Sequence, residues 1–307
     1  MRVSPSIWIV VGAVALGMPV WGQSPAVRPA PAAPRAAAVP PTAPPTATPP
    51  PPIEGLVGEL LVEMTLAGLT DAPTASPEAQ AFLGQFRDKA TLKTQLFLAR
   101  DLSRQEVLST DFTLPAGTVI LHEAGSKFYV IADPKAQTYV VMDAEGILKA
   151  LEGGIGIENS QYSAKATHTG EKRDIGGVPC RKTTLAVTYV SSVPFESDRV
   201  MVQQTNDIEV WHTPALVSRA LLDHFFFKFQ RDKTSTVQKV AATELGFPME
   251  LSMSITQGAG SKARSAGALR MFVSGIRHDK RLNSEMFRIP PAGYQKLERN
   301  PYFTVQR

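Results

Sequence analysis

The sequence predicts a mainly β protein: one curled antiparallel sheet, a half-barrel whose apolar concave face is covered by a few helices. Three observations carry this prediction. Several segments alternate apolar and polar residues at the two-residue period of a half-buried strand. Two pairs of such segments are separated by short turn-forming stretches, as in hairpins. One helix-like segment is too apolar to lie on a water-facing surface, so it needs apolar cover on two sides or must itself cover a cavity.

The elements follow in chain order. Leu60, Val62, Met64 and Leu66 alternate with Glu59, Leu61, Glu63 and Thr65, which predicts a strand over residues 59–67. Ser76-Pro77-Glu78 reads as a helix start, with Ser at the cap and Pro at the first helical position. Phe82 and Phe86 lie one turn apart, so a helix to residue 89 has an apolar stripe. Strands are predicted over 91–100 and 104–111. The clearest hairpin spans 127–143, two β-branched and aromatic runs around Asp133-Pro134-Lys135-Ala136. A short helix over 144–151 stops at Gly153-Gly154. A second hairpin pairs 164–172 with 181–190, and 208–211 reads as another strand. Pro214 opens the most apolar helix, 215–230, with Leu216, Leu221, Phe225, Phe226 and Phe229 among its large side chains. Two last strands carry Met249, Leu251, Met253 and Ile255, then Leu269, Met271 and Val273, joined by a polar loop over 257–267. Alternation with one apolar face indicates antiparallel pairing, and a sheet of at least eight strands curls.

The domain organisation is read from composition. Residues 1–22 place Arg2 before an apolar run from Ile7 to Leu16, then Pro19 and a cleavage position after Gly22. That order predicts a secretory signal peptide, the alternative being a retained N-terminal anchor. Residues 23–52 hold twelve Pro and nine Ala, too little apolar bulk to offset ordering entropy, and predict a semi-rigid disordered tether. Residues 53–307, about 255 in number, form a single β-rich domain. Export places the chain in the periplasm or outside the cell, with the tether near a membrane. The formal charge of +4, with basic residues scattered along the chain, gives no basis for a nucleic-acid partner. The lone Cys180 allows no intrachain disulfide and is expected to be buried.

Chemistry is sparse. The five histidines, His122, His168, His212, His224 and His278, show no metal-ligand spacing, although His212 and His224 flank the Phe-rich segment. There is no Gly-x-Ser-x-Gly elbow. Gly258-Ala259-Gly260-Ser261-Lys262 lacks phosphate-loop spacing. Glu196/Asp198 and Asp207/Glu209 read as surface charges, not a glycosidase pair. No catalytic residue, metal or cofactor is expected. What remains is a binding surface: Met64, Met249, Met253 and Met271 on strand faces, with Leu216, Leu221, Phe225, Phe226 and Phe229 above them. Methionine is flexible and polarizable and suits varied apolar contacts, although it also fills cores.

The segment from Gly170-Glu171 through Ile175-Gly176-Gly177-Val178-Pro179-Cys180-Arg181-Lys182 resembles a motif of exported bacterial proteins of unknown function. Tyr129 to Tyr139, Glu209-Val210-Trp211, Gly246-Phe247-Pro248-Met249-Glu250 and Phe287-Arg288-Ile289-Pro290-Pro291-Ala292-Gly293-Tyr294 agree with it in order. That family is similar to the lipoprotein-carrier fold of periplasmic lipid chaperones, antiparallel half-barrels closed by helices. The resemblance implies a non-enzymatic protein that binds an acyl chain, lipid or lipoprotein on the concave face. It carries no catalytic residue over, and no anchor Cys follows the signal. The alternatives are an envelope interaction module that docks a protein partner, and an enzyme whose site leaves no sequence pattern.

Overall fold

A computed structural model describes residues 52–65, 90–111, 114–126, 128–143, 158–195, 198–216, 240, 243–258 and 264–298. The protein is mainly β. Its strands are β1 (Pro52–Thr65), β2 (Ala90–Ala99), β3 (Leu102–Thr110), β4 (Val119–Glu123), β5 (Phe128–Asp133) and β6 (Thr138–Asp143). Then come β7 (Glu158–Ile175), β8 (Val178–Phe195), β9 (Asp198–Thr213), β10 (Phe247–Gln257), β11 (Arg264–Asn283) and β12 (Gln295–Lys296). They make one curled sheet in the order β12-β6-β5-β4-β3-β2-β1-β11-β10-β9-β8-β7. Every neighbouring pair is antiparallel except β12 on β6.

Alternation decides which face is inside. In β1, Leu60, Val62 and Met64 are buried while Glu59, Leu61 and Glu63 are half-buried on the other face. The ladders carry this face sideways. One row reads Ala90, Met64, Leu269, Met253, Ile208, Leu185, Ala166 across seven strands. The next reads Leu92, Val62, Met271, Leu251, Val210, Thr183, His168. These rows form the middle of the main buried cluster. Each large apolar side chain buried there contributes roughly 1.5–3 kcal/mol.

The predicted strands form, with corrected ends. The strand expected from residue 59 begins at Pro52. Proline lacks a donor, and the first position of a strand tolerates that. The strand read over 208–211 is the end of β9, which starts at Asp198. Its polar run Gln203-Gln204-Thr205-Asn206 breaks the alternation that marks strands. The last predicted strand runs on to Asn283, through Gly275 at φ 60° and a register shift opposite Val57–Glu59. A left-handed glycine lets the chain take that bulge and stay in the sheet.

Sequence alternation misses β4 altogether. Val119, Ile120, Leu121 and His122 are all buried, so β4 has no polar face to reveal it. Its outer face, with Val130 and Ala132, is packed by Tyr139 and Tyr294.

The C-terminal segment supplies that cover. Asn283 caps a 3-10 turn over Ser284–Phe287, its Oδ1 accepting from the N–H of Glu285 at 3.0 Å. Phe287 packs with Val57, Ala99 and Leu282. Arg104 Nη1 donates to the Met286 carbonyl at 3.1 Å. The N–H groups of Gln295 and Leu297 then donate to the carbonyls of Gln137 and Tyr139, each at 2.8 Å.

The two predicted turns hold. Asp133 Oδ1 accepts from the N–H groups of Lys135 and Ala136 at 2.8 and 3.1 Å. Gly176 and Gly177, at φ 62° and 82°, join β7 to β8. Two consecutive positive φ angles are what a tight two-residue hairpin needs. The helices expected over 76–89 and 144–151, that over 215–230 beyond Leu216, and the segments assigned to signal and tether before Pro52 lie outside the described residues.

Gly55 sits where β1 is squeezed between β2 and β11. A Cβ there would run into the Leu98 carbonyl oxygen and the Leu282 side chain. Gly55→Ala is therefore expected to cost about 1–3 kcal/mol by overpacking, seen as a lower urea midpoint at unchanged slope. Gly117→Ala has open space around its Cβ but a φ of 89°. It should lose less, since only local backbone strain is added.

Candidate functional site

The inner face divides into four zones. Its middle is apolar and holds the predicted Met64, Met249, Met253 and Met271, all buried in the main cluster. The structure brings them onto one face, as the spacing predicts. Met64 and Met253 flank Leu269 in one row, and Met271 lies in the next. Leu216 is buried in the same cluster, with Leu245, and Val240 packs against it. Leu221, Phe225, Phe226 and Phe229 lie outside the described residues.

One polar zone joins β7, β8 and β9 to the segment before β10. His212 and Thr183 are fully buried. The Gly246 N–H donates to His212 Nδ1 at 2.8 Å. A neutral imidazole accepting at Nδ1 carries its proton on Nε2, so Nε2–H donates to Thr183 Oγ1 at 2.8 Å. The threonine hydroxyl then donates to His168 Nδ1 at 2.8 Å, and His168 Nε2–H reaches Glu244 Oε2 at 2.8 Å. Burial pushes His212 down from 6.5 to about 4, and the positive charge of Arg181 adds to it. The Glu-His-Thr order is that of a nucleophile relay. Yet Thr183 has 0 % exposure, and its hydroxyl oxygen already accepts from His212 Nε2–H. The network fixes a tautomer and ties four segments together.

The second polar zone lies at the other end of β9. Gln204 and Asn206 are both fully buried. Among the described residues, none of their four side-chain amide atoms has a hydrogen-bond partner. Asn206 stands between Val187 and Ile255 in the ladders, and Gln204 beside Tyr189, on which Tyr162 stacks at 5.2 Å. An unsatisfied buried amide group costs about 1–3 kcal/mol, so this pair is the costliest polar feature of the face. Sequence reading passed over it as part of an unpatterned polar run. A two-residue Gln-x-Asn spacing inside a β-branched context was its only trace. On the far side, Thr94, Gln105, Ser103 and His122 form a further buried strip, with His122 stacked on Tyr129 at 4.2 Å.

Apart from Glu244 in the first polar zone, the cross-strand ion pairs lie on the outer face. Among the described residues no Lys, Arg, Asp or Glu is buried. Glu250 pairs with Arg173 and with Arg270. Arg173 lies 4.2 Å from the centre of the Trp211 ring, and Lys182 bridges to Glu209 at 3.3 Å and Glu171 at 3.5 Å. The hydrogen bond to Glu209 raises the Lys182 pKa. Between these charges lies a trough of about 440 Å³ lined by Glu63, Asp207, Glu209, Ser252, Ser254 and Arg270 among others. No group of three metal-ligating side chains occurs among the described residues.

Cys180 is buried, as expected of an unpaired thiol, and its Sγ–H donates to the Val178 carbonyl at 3.3 Å. Burial raises its pKa, against the opposing charge of Arg173.

Two measurements test these environments. In the native protein Cys180 should resist a thiol-specific maleimide at pH 7 and react fully only in denaturant; rapid native labelling would contradict its placement. His212 titrates near 6.5 when unfolded and near 4 when folded, so the unfolded chain binds more protons between those values. Stability should therefore rise with pH across that window, by on the order of 2–3 kcal/mol. Urea midpoints at pH 4.5 and 7 check this, and His212→Gln should flatten the difference.

No protein-family model matches the chain, and no curated protein matches it.

Proposed function

We propose that the protein is a non-enzymatic, exported binding protein whose inner sheet face holds an apolar ligand: an acyl chain, a lipid or the lipid moiety of a lipoprotein. The observation that carries this reading is the inner face itself. It is an apolar band seven strands wide, bearing the four methionines, with no buried formal charge among the described residues. Such a face suits a long hydrocarbon, and unbranched thioether side chains can shift to fit chains of different length. The signal-like segment 1–22 and the Pro/Ala-rich segment 23–52 support delivery to an envelope where lipids cross water. The sequence resemblance to lipoprotein carriers supports the same reading.

A second reading has one observation in its favour. The outer trough, with Arg173 stacked on Trp211 beside it, suits a docked polar protein segment. In that case the protein is an envelope interaction module and its inner face is solid core.

The two readings separate by experiment. The full chain, expressed with its N-terminal segment and purified from the envelope fraction, should carry extractable lipid seen by mass spectrometry. It should also take up a fluorescent fatty-acyl probe. Met253→Asp, placing a charge in the band, should abolish uptake while Arg173→Ala leaves it intact. A protein that arrives empty and takes up no probe refutes the ligand reading.

A further inference from the structure

We propose that Gln204 and Asn206 select a ligand whose hydrocarbon is joined to the rest of the molecule by a neutral amide. The proposal rests on the apolar-ligand reading and names its chemical class. Both side chains are fully buried on the inner face, and among the described residues their four amide atoms are without partners. Two carboxamides present two N–H₂ groups and two carbonyl oxygens. A ligand that satisfies them must both accept and donate. An N-acyl amide does both through one linkage: its carbonyl accepts from one side chain and its N–H donates to the other. An ester accepts but leaves the two side-chain carbonyls unmet. A free carboxylate offers no donor and brings a charge, and the inner face buries no Lys or Arg among the described residues to receive it.

The position of the pair fits this role. Asn206 is one step along β9 from Ile208, which lies in the same row as Met253 and Met64. A linkage held at Asn206 therefore lets its alkyl chain run onto the methionine band. Tyr189, beside Gln204 and stacked on Tyr162, closes the outer end with ring faces. The contrast with the other end of β9 is instructive. There His212 has both ring nitrogens engaged by the protein's own groups. The same strand is fully satisfied at one end and open at the other, which marks the open end as the one meant for a partner.

The test is a competition series on the full chain. A pyrene-labelled hydrocarbon is bound first and displaced with hexadecane, palmitate, methyl palmitate and N-methylpalmitamide. The amide is expected to displace best, about tenfold better than the ester, since one added satisfied hydrogen bond is worth about that factor. Palmitate should be weakest of the three polar ligands. The near-isosteric variants Asn206→Leu and Gln204→Met, singly and together, should level this ranking, still bind the pyrene hydrocarbon, and melt at a higher temperature than the wild type. An N-palmitoylated peptide and N-methylpalmitamide share the linkage; the tighter one shows whether the source is an acylated polypeptide or a simple lipid amide. If the wild type binds the hydrocarbon with no preference for the amide, or the variants keep the preference, the amide proposal is overturned and the apolar-ligand reading stands. If the wild type binds no hydrocarbon at all, both fall.

Discussion

The ladder between β1 and β11 is the constraint on which the rest of the molecule depends. Strand order splits the sheet into two meanders, β1 to β6 and β7 to β11, each made of strands adjacent in sequence. Among the described strands only β1 against β11 joins them, while the two-residue β12, which follows β11, pairs with β6. Residues over 200 positions apart, such as Met64 and Leu269, are set side by side. Closing so long a loop costs entropy that grows only slowly with length, but such non-local pairing is slow to form. Its register must also be right. A slip of one residue would turn Glu59 and Glu63 inward and carry Leu60, Val62 and Met64 to the outer face. The bulges at Ile53–Gly55 and Val57–Glu59 help pin it.

Once that ladder is in register, the two faces take opposite characters. The inner face gathers apolar side chains from both meanders into one cluster. The outer face disposes of charge by pairing across strands, as in Lys93 with Glu59 at 2.7 Å and Glu250 with its two arginines. Exposed pairs of this kind contribute little stability. Their larger effect is to penalise any register that would bury them. Near β4 to β6 the outer face is itself apolar, and there Tyr294 of the C-terminal segment packs on it, while Phe287 packs with Val57, Ala99 and Leu282. There the chain covers apolar sheet surface with its own C-terminal segment, while Leu108, Val141 and Met201 stay exposed.

Much of this was legible in the sequence, for reasons that particular residues make plain. Leu60, Val62 and Met64 alternate cleanly because one of their faces is inside and the other is not. Asp133 and the Gly176-Gly177 pair announce turns because their side chain or backbone freedom is what such turns demand. Met64, Met253 and Met271 share the inner face because period two keeps each in step with its buried neighbours, whereas Met249 sits at a bulge in β10. What escaped reading had a physical cause each time. β4 is buried on both sides and so shows no alternation. The Gly275 bulge and the charged run Arg277-His278-Asp279-Lys280-Arg281 disguised the second half of β11. The His168–Thr183–His212–Glu244 network joins residues up to 76 positions apart, and no local spacing reveals it.

Gln204 and Asn206 escaped for the most telling reason. Polar residues in a strand are ordinarily assigned to the water-facing side, and in the run from Gln203 to Asn206 both faces are polar. The ladders settle the matter: Asn206 sits level with Val187 and Ile255, both buried inward. Leucine or valine there would extend the apolar band at no cost in unmet hydrogen bonds. A sequence that instead keeps two amides buried without partners accepts a weaker core. Local rules are broken in this way mainly where function imposes the exception. The thermodynamic signature of such an exception is specific: the protein without a ligand would be less stable than its apolar variants, and a ligand of the proposed kind would restore the difference by completing the hydrogen bonds.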